Sequence, residues 1–137
     1  MINRIGKSFV VIISTFLISF SCVNGQCGYI QADKFDNVWV VNNGEIICFD
    51  KQINKIGTYS NMLLGNPSYI DALDPFRVIV YYPNTQSVVL LNNRVTEISK
   101  PTLLSEKGIT DASLVCRSVR GGFWVLDRTN WAILHFD

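Results

Sequence analysis

The stretch Asp33-Lys34-Phe35-Asp36-Asn37-Val38-Trp39-Val40-Val41-Asn42-Asn43-Gly44-Glu45-Ile46-Ile47-Cys48-Phe49-Asp50 decides the fold. It holds two short runs, residues 38–41 and 46–49, rich in the β-branched and aromatic side chains that suit a pleated strand. Asn43-Gly44 lies between them. A type I′ turn needs positive φ at both central positions, which Asn and Gly tolerate, so the pair predicts a tight antiparallel hairpin.

Outward from this hairpin the pattern recurs. Tyr29-Ile30-Gln31-Ala32 aligns with Tyr69-Ile70-Asp71-Ala72 and with Leu114-Val115-Cys116-Arg117. Without a gap, Val38-Trp39-Val40-Val41 then falls over Val78-Ile79-Val80-Tyr81 and Phe123-Trp124-Val125-Leu126. After a variable loop, Ile47-Cys48-Phe49-Asp50 matches Val89-Leu90-Leu91-Asn92 and Leu134-His135-Phe136-Asp137, while Ile53 and Ile56 match Val95 and Ile98. The rows span about residues 28–67, 68–111 and 112–137, the third ending after its third strand. A helical period is absent after the leader, apart from one turn's worth of residues from Leu103 to Gly108.

Four short strands per row of about 40 to 45 residues is the spacing of propeller blades. The expected fold is all-β: consecutive antiparallel four-stranded blades forming an incomplete, open propeller, preceded by a signal-peptide helix. The apolar runs at residues 38–41 and 123–126 predict strands covered on both faces. Trp39 and Trp124, aligned in two rows, are expected to pack blade against blade. Fewer than three blades leave sheet edges bare, which points to a fragment, to self-association through them, or to an unusually open sheet stack.

Asp33 to Val40, followed by Gly44-Glu45-Ile46 and Phe49-Asp50, resembles the short propeller repeat of bacterial sensory and envelope proteins, and Gly121-Gly122-Phe123-Trp124-Val125 with Leu134-His135-Phe136-Asp137 is a second instance. More broadly, residues 28–137 resemble uncharacterised secreted β-propeller-like proteins of Gram-negative bacteria. The middle row departs from the pattern, with Ile79 in place of the Trp and Asp74-Pro75-Phe76-Arg77 in place of the turn. What the resemblance implies is a propeller scaffold; its shared residues maintain the fold.

The chain has 137 residues, and residues 1–25 read as a secretory signal peptide: Arg4 and Lys7, then an apolar run from Phe9 to Phe20, then small residues. The run is too short to span a bilayer, which takes about 20 residues. Two processing readings stand. Cleavage after Gly25 leaves 112 residues and a periplasmic or extracellular protein, whereas a loose lipobox before Cys22 would make Cys22 a lipid anchor in the outer membrane. Membrane contact is expected in the second case alone. Setting Arg4 and Lys7 aside, ten basic residues face 11 acidic ones, which argues against nucleic-acid binding by bulk charge. Cys27, Cys48 and Cys116 cannot all pair internally; Cys48 and Cys116 sit in apolar runs and read as small buried hydrophobes.

The chemistry-bearing residues form no catalytic pattern. His135, the sole histidine, aligns with Cys48 and Leu90 and reads as a strand residue. Asp36, Asp50, Asp71, Asp74, Asp111, Asp127 and Asp137 fall at strand ends, where Asp commonly satisfies backbone N–H groups. No cofactor or metal is expected. Recognition should fall on loops at one end of the blades or at the mouth of the axis, with Tyr82 and Trp131 as the candidate partner-binding aromatics, since both border hairpin loops. Tyr81 reads as core. The expected function is an exported binding or scaffold module of the bacterial cell envelope, non-enzymatic, with a protein or glycan partner. The alternatives are a propeller enzyme acting on a glycan or small molecule, or the sensory propeller fragment of a signalling receptor.

Overall fold

The computed structural model describes residues 28–137. The expected leader, with Cys22, and also Cys27 lie outside the described residues. The described chain is all-β and forms three open antiparallel sheets, each meandering in chain order. The first holds β1 (Tyr29–Ala32), β2 (Val38–Asn42), β3 (Glu45–Phe49) and β4 (Lys55–Tyr59). The second holds β5 (Tyr69–Asp71), β6 (Val78–Tyr82), β7 (Ser87–Leu91) and β8 (Thr102–Leu103), and the third β9 (Ala112–Arg117), β10 (Phe123–Asp127) and β11 (Ala132–Phe136). Among the described residues no helix is long and apolar enough to cross a membrane.

The central hairpins share one register. Val38 pairs with Phe49, Val78 with Leu91 and Phe123 with Phe136. Asn43 and Gly44 take φ of 52° and 81°, the left-handed pair that a two-residue hairpin requires. The second sheet's fourth strand departs from the expectation set by Val95 and Ile98. Glu97 meets Leu91 in an isolated bridge and Ile98 N–H bonds Leu90 O, but the pairing breaks before resuming at Thr102 opposite Val88. Pro101, with no N–H to offer the ladder, lies in the break. A single 3₁₀ turn, Leu104–Lys107, follows, closed by left-handed Gly108.

Successive sheets bury their faces against each other. One core joins the first sheet to the second through Trp39, Val41, Ile46 and Cys48 on one side and Val78, Val80, Val89 and Leu91 on the other. A second core joins the second sheet to the third through Ile79, Tyr81 and Val88 against Val115, Phe123 and Val125. The middle sheet is therefore covered twice, and every residue of β6 is buried. The two-sided cover expected for residues 38–41 and 123–126 is not found there. In β2 and β10 buried and more accessible residues alternate, because each of these sheets has one packed neighbour among the described residues. Trp39 is fully buried as expected, but Trp124, at the aligned position, is 38% exposed because it faces outward from the third sheet.

The turns repeat as closely as the strands. At residues 33–37, 50–54, 92–96 and 118–122 the first residue's N–H bonds the fifth residue's carbonyl, and the fourth residue's N–H bonds the first's carbonyl. The fourth residue is left-handed in each: Asp36, Ile53, Val95 and Gly121 have φ of 63°, 64°, 62° and 100°. This is a type I turn completed by a left-handed residue. The first residue's side chain holds the loop: Asp33 accepts from the N–H groups of Phe35 and Asn37, Asp50 from Gln52 and Asn54, and Asn92 from Arg94 and Thr96. In the third sheet Ser118 takes that place, its hydroxyl accepting from Arg120 N–H at 3.2 Å.

Candidate functional site

The loops that join the first strand of each sheet to the second gather at one end of the molecule. Asp33 organises the first of them. It is buried, and its carboxylate accepts from Asn37 Nδ2 at 2.9 Å and from the buried Trp39 Nε1 at 3.2 Å, besides the two backbone groups. Burial pushes its carboxyl up, but these hydrogen bonds outweigh that and hold it below the ordinary carboxylate range. The anchored loop projects Lys34 and Phe35 toward the second sheet, where Lys34 N–H bonds Leu73 O.

Phe35 and Phe76 meet edge to face at 5.8 Å, both more than half exposed. Lys34 Nζ lies over both rings, 5.4 and 5.3 Å from their centroids, and 3.1 Å from Asp74 Oδ1. Such a cation over two faces suits ring quadrupoles. Asp74 also accepts from Phe76 N–H. Burial would raise its carboxyl, but the Lys34 and Phe76 donors bring it below the usual range, so it stands as an engaged carboxylate.

Beyond Phe76 a cleft of about 470 Å³ opens between the second and third sheets, with Arg77 and Arg117 in its walls and Gly121 and Gly122 on its far side. Arg117 lies 3.4 Å from Asp71. Arg77 has no carboxylate partner among the described residues. Gly122 is packed so closely on β11 that a Cβ there would fall 1.7 Å from Phe136 O, which fixes glycine at this wall. The cleft thus offers one unpaired guanidinium fork, a second held by a carboxylate, and exposed aromatic area. Such forks match carboxylate or phosphate oxygens.

The residues singled out in the sequence fall elsewhere. Tyr82 is not a loop aromatic: it is fully buried between the first two sheets, its hydroxyl without a partner, because the two-sided cover of β6 extends to the strand's last residue. Trp131 is 83% exposed in the β10–β11 loop, at the opposite end of the third sheet from the cleft. Tyr81 is core, its hydroxyl donating to Ala112 O at 2.6 Å and accepting from Gln86 Nε2. His135 pairs across the strands with Trp124, its Nε2 3.0 Å from Gly121 O and its Nδ1 3.3 Å from Asp137.

Most of the strand-end carboxylates are occupied with local structure, but Asp36 is not among them: it is the left-handed residue of its turn, which Asp33 holds instead. Asp50, Asp71, Asp74 and Asp127 accept from the N–H two residues on, and Asp111 takes both donors of the Arg128 fork. Among the described residues, no group of three or more His, Cys, Asp or Glu is placed to hold a metal ion. Cys48 is buried, and burial pushes its thiol up to about 12. Cys116, expected to be buried, is exposed, because the face of β9 that carries it looks away from the second sheet.

The cleft itself was not read from the sequence. Its signal was nonetheless present: Phe35 and Phe76 both occupy the loop between the first and second strands of their rows, where an aromatic has no strand face to pack on. No protein-family model, curated protein or solved structure matches this chain.

Proposed function

We propose that the chain is an exported, propeller-like binding module of the bacterial cell envelope, and that its recognition surface is the loop end built from Phe35, Phe76, Arg77 and Arg117. The propeller reading is supported by sheets that meander in order, pack face to face in succession, and bring their first strands together, with Ala72 N–H of β5's end bonded to Gln31 of β1. The ligand we assign is an acidic glycan: the carboxylate to the guanidinium fork, the sugar face to the exposed rings. The observation that carries this is the unpaired Arg77 in a cleft beside an exposed aromatic pair. Asp74 belongs to the site as the group that positions Lys34.

The test is binding of the purified chain to acidic glycans from cell-envelope fractions, compared with the same glycans after their carboxylates are reduced. Binding should weaken with added salt and fall roughly tenfold in Arg77→Gln, the scale of one lost charge-assisted pair. Equal binding to both glycan forms would defeat the assignment, and turnover without stable binding would favour an enzyme.

A further inference from the structure

We infer that a second copy of this chain covers the open faces of the outer sheets, the third sheet of each copy packing on the first sheet of the other. The inference rests on the propeller-like stacking proposed above and concerns sheet faces, not the bare edges considered from sequence. Within the chain each interface is built the same way. The face of the first sheet that carries Trp39 meets the face of the second that carries Val78 and Val80. The opposite face of the second, carrying Ile79, meets the face of the third that carries Phe123 and Val125. Ile79 aligns with Trp39, and Phe123 and Val125 align with Val78 and Val80, so one half-interface always meets the same other half.

Both halves recur on the outer sheets, uncovered among the described residues. Trp124 and Leu126, aligned with Trp39 and Val41, look out from the third sheet, and Leu114 and Ile133, the cross-strand partners of Leu126, are 65% and 69% exposed. On the first sheet Val38 and Val40, aligned with Val78 and Val80, are half-buried instead of covered, and Ile30 beside Val40 is 76% exposed. Adjoining exposed apolar side chains on one sheet face mark a contact surface. The occupant that fits each is already specified by the chain's own interiors: the Trp124 face takes a Val38–Val40 type face, and the Val40 face takes a Trp-bearing one. A contact between two different patches closes only if the rotation completes a ring. Two copies of the described residues supply six sheets, within the roughly four to eight that close a propeller. The assembly is therefore a dimer with two equivalent, head-to-tail interfaces.

Sedimentation equilibrium of the purified chain reads this directly, with Trp124→Lys and Val40→Lys as variants and circular dichroism to confirm that each keeps its sheets. If Trp124→Lys fails to fold, Leu114→Lys carries the same charge onto the same face. Wild type should show twice the chain mass. Each variant alone should be monomeric, since either change spoils both interfaces, and an equimolar mixture should recover a dimer through its one intact interface. A wild-type chain that stays monomeric up to about 100 μM overturns the inference, as does a Val40→Lys variant that remains dimeric. Acidic-glycan binding is scored separately: its loss in a chain that still dimerises strikes the functional proposal and leaves this one standing.

Discussion

The middle and outer sheets are made of nearly the same residues and live in different surroundings. Val78-Ile79-Val80-Tyr81-Tyr82 is buried throughout, whereas Val38-Trp39-Val40-Val41-Asn42 and Phe123-Trp124-Val125-Leu126-Asp127 alternate between buried and more accessible positions. An apolar strand buries both faces only where a sheet lies on either side, so the same composition yields two-sided burial in the middle and one-sided burial outside. The difference shows that the neighbouring sheet, and not strand composition, sets burial here, and among the described residues it leaves apolar side chains of the first and third sheets uncovered.

The largest contrast is expected from truncating the aligned Trp of the first and third sheets. Trp39→Ala should cost about 3–5 kcal/mol in denaturant unfolding, the range for emptying a packed aromatic site. Trp124→Ala, removing a ring that is 38% exposed, should cost less than half as much when measured at a dilution where the chain is monomeric. Equal losses would mean that the third sheet's outer face is covered within the chain.

Next in size is the acid response of the first sheet. Asp33 is held below its ordinary value of 3.8 in the folded chain, so its contribution is present above that value and is lost as pH falls through the folded value. Urea midpoints compared at about pH 6 and about pH 3 should fall for the wild type. Asp33→Asn should be less stable at the higher pH and show a smaller further fall. Ser118 occupies the corresponding turn of the third sheet, so Ser118→Ala should leave the pH dependence unaltered.

The smallest effect concerns the shared turn. Ile53, 69% exposed, holds the left-handed position that Gly121 fills in the third sheet's loop. A side chain there costs about 1–2 kcal/mol in backbone sterics, so Ile53→Gly should raise stability by roughly 1 kcal/mol after the glycine's added unfolded-state entropy is counted. A loss of stability would show that Ile53 packs on something that its exposure does not reveal.

The parts of this fold legible in the sequence are those set by local chemistry. Asn43-Gly44 and the aligned apolar runs locate the hairpins, and Asp50 and Asp127 mark turns that they go on to hold, whereas the first turn is held by Asp33 and not by the expected Asp36. What depends on a neighbouring sheet was not legible. Tyr82 borders a loop in sequence yet is sealed by the first sheet, and Cys116 sits in an apolar run yet faces outward because no sheet among the described residues packs on its side of β9. The cleft depends on loops some 40 residues apart converging, and the scattered spacing of Arg77 and Arg117 gave no hint that both would line it.

Cys48 and Cys116 provide the most direct measurement of the stacking itself. Both lie on the Trp-bearing face of their sheets, opposite Trp39 and Trp124 respectively, but among the described residues the first faces a packed neighbour and the second does not. Alkylation of dilute native chain, mapped residue by residue by mass spectrometry, should label Cys116 readily and Cys48 only on unfolding. Raising the protein concentration should slow the labelling of Cys116 as a second copy covers it. Labelling of Cys48 at the rate of Cys116 in the folded chain would contradict the face-to-face packing of the first two sheets.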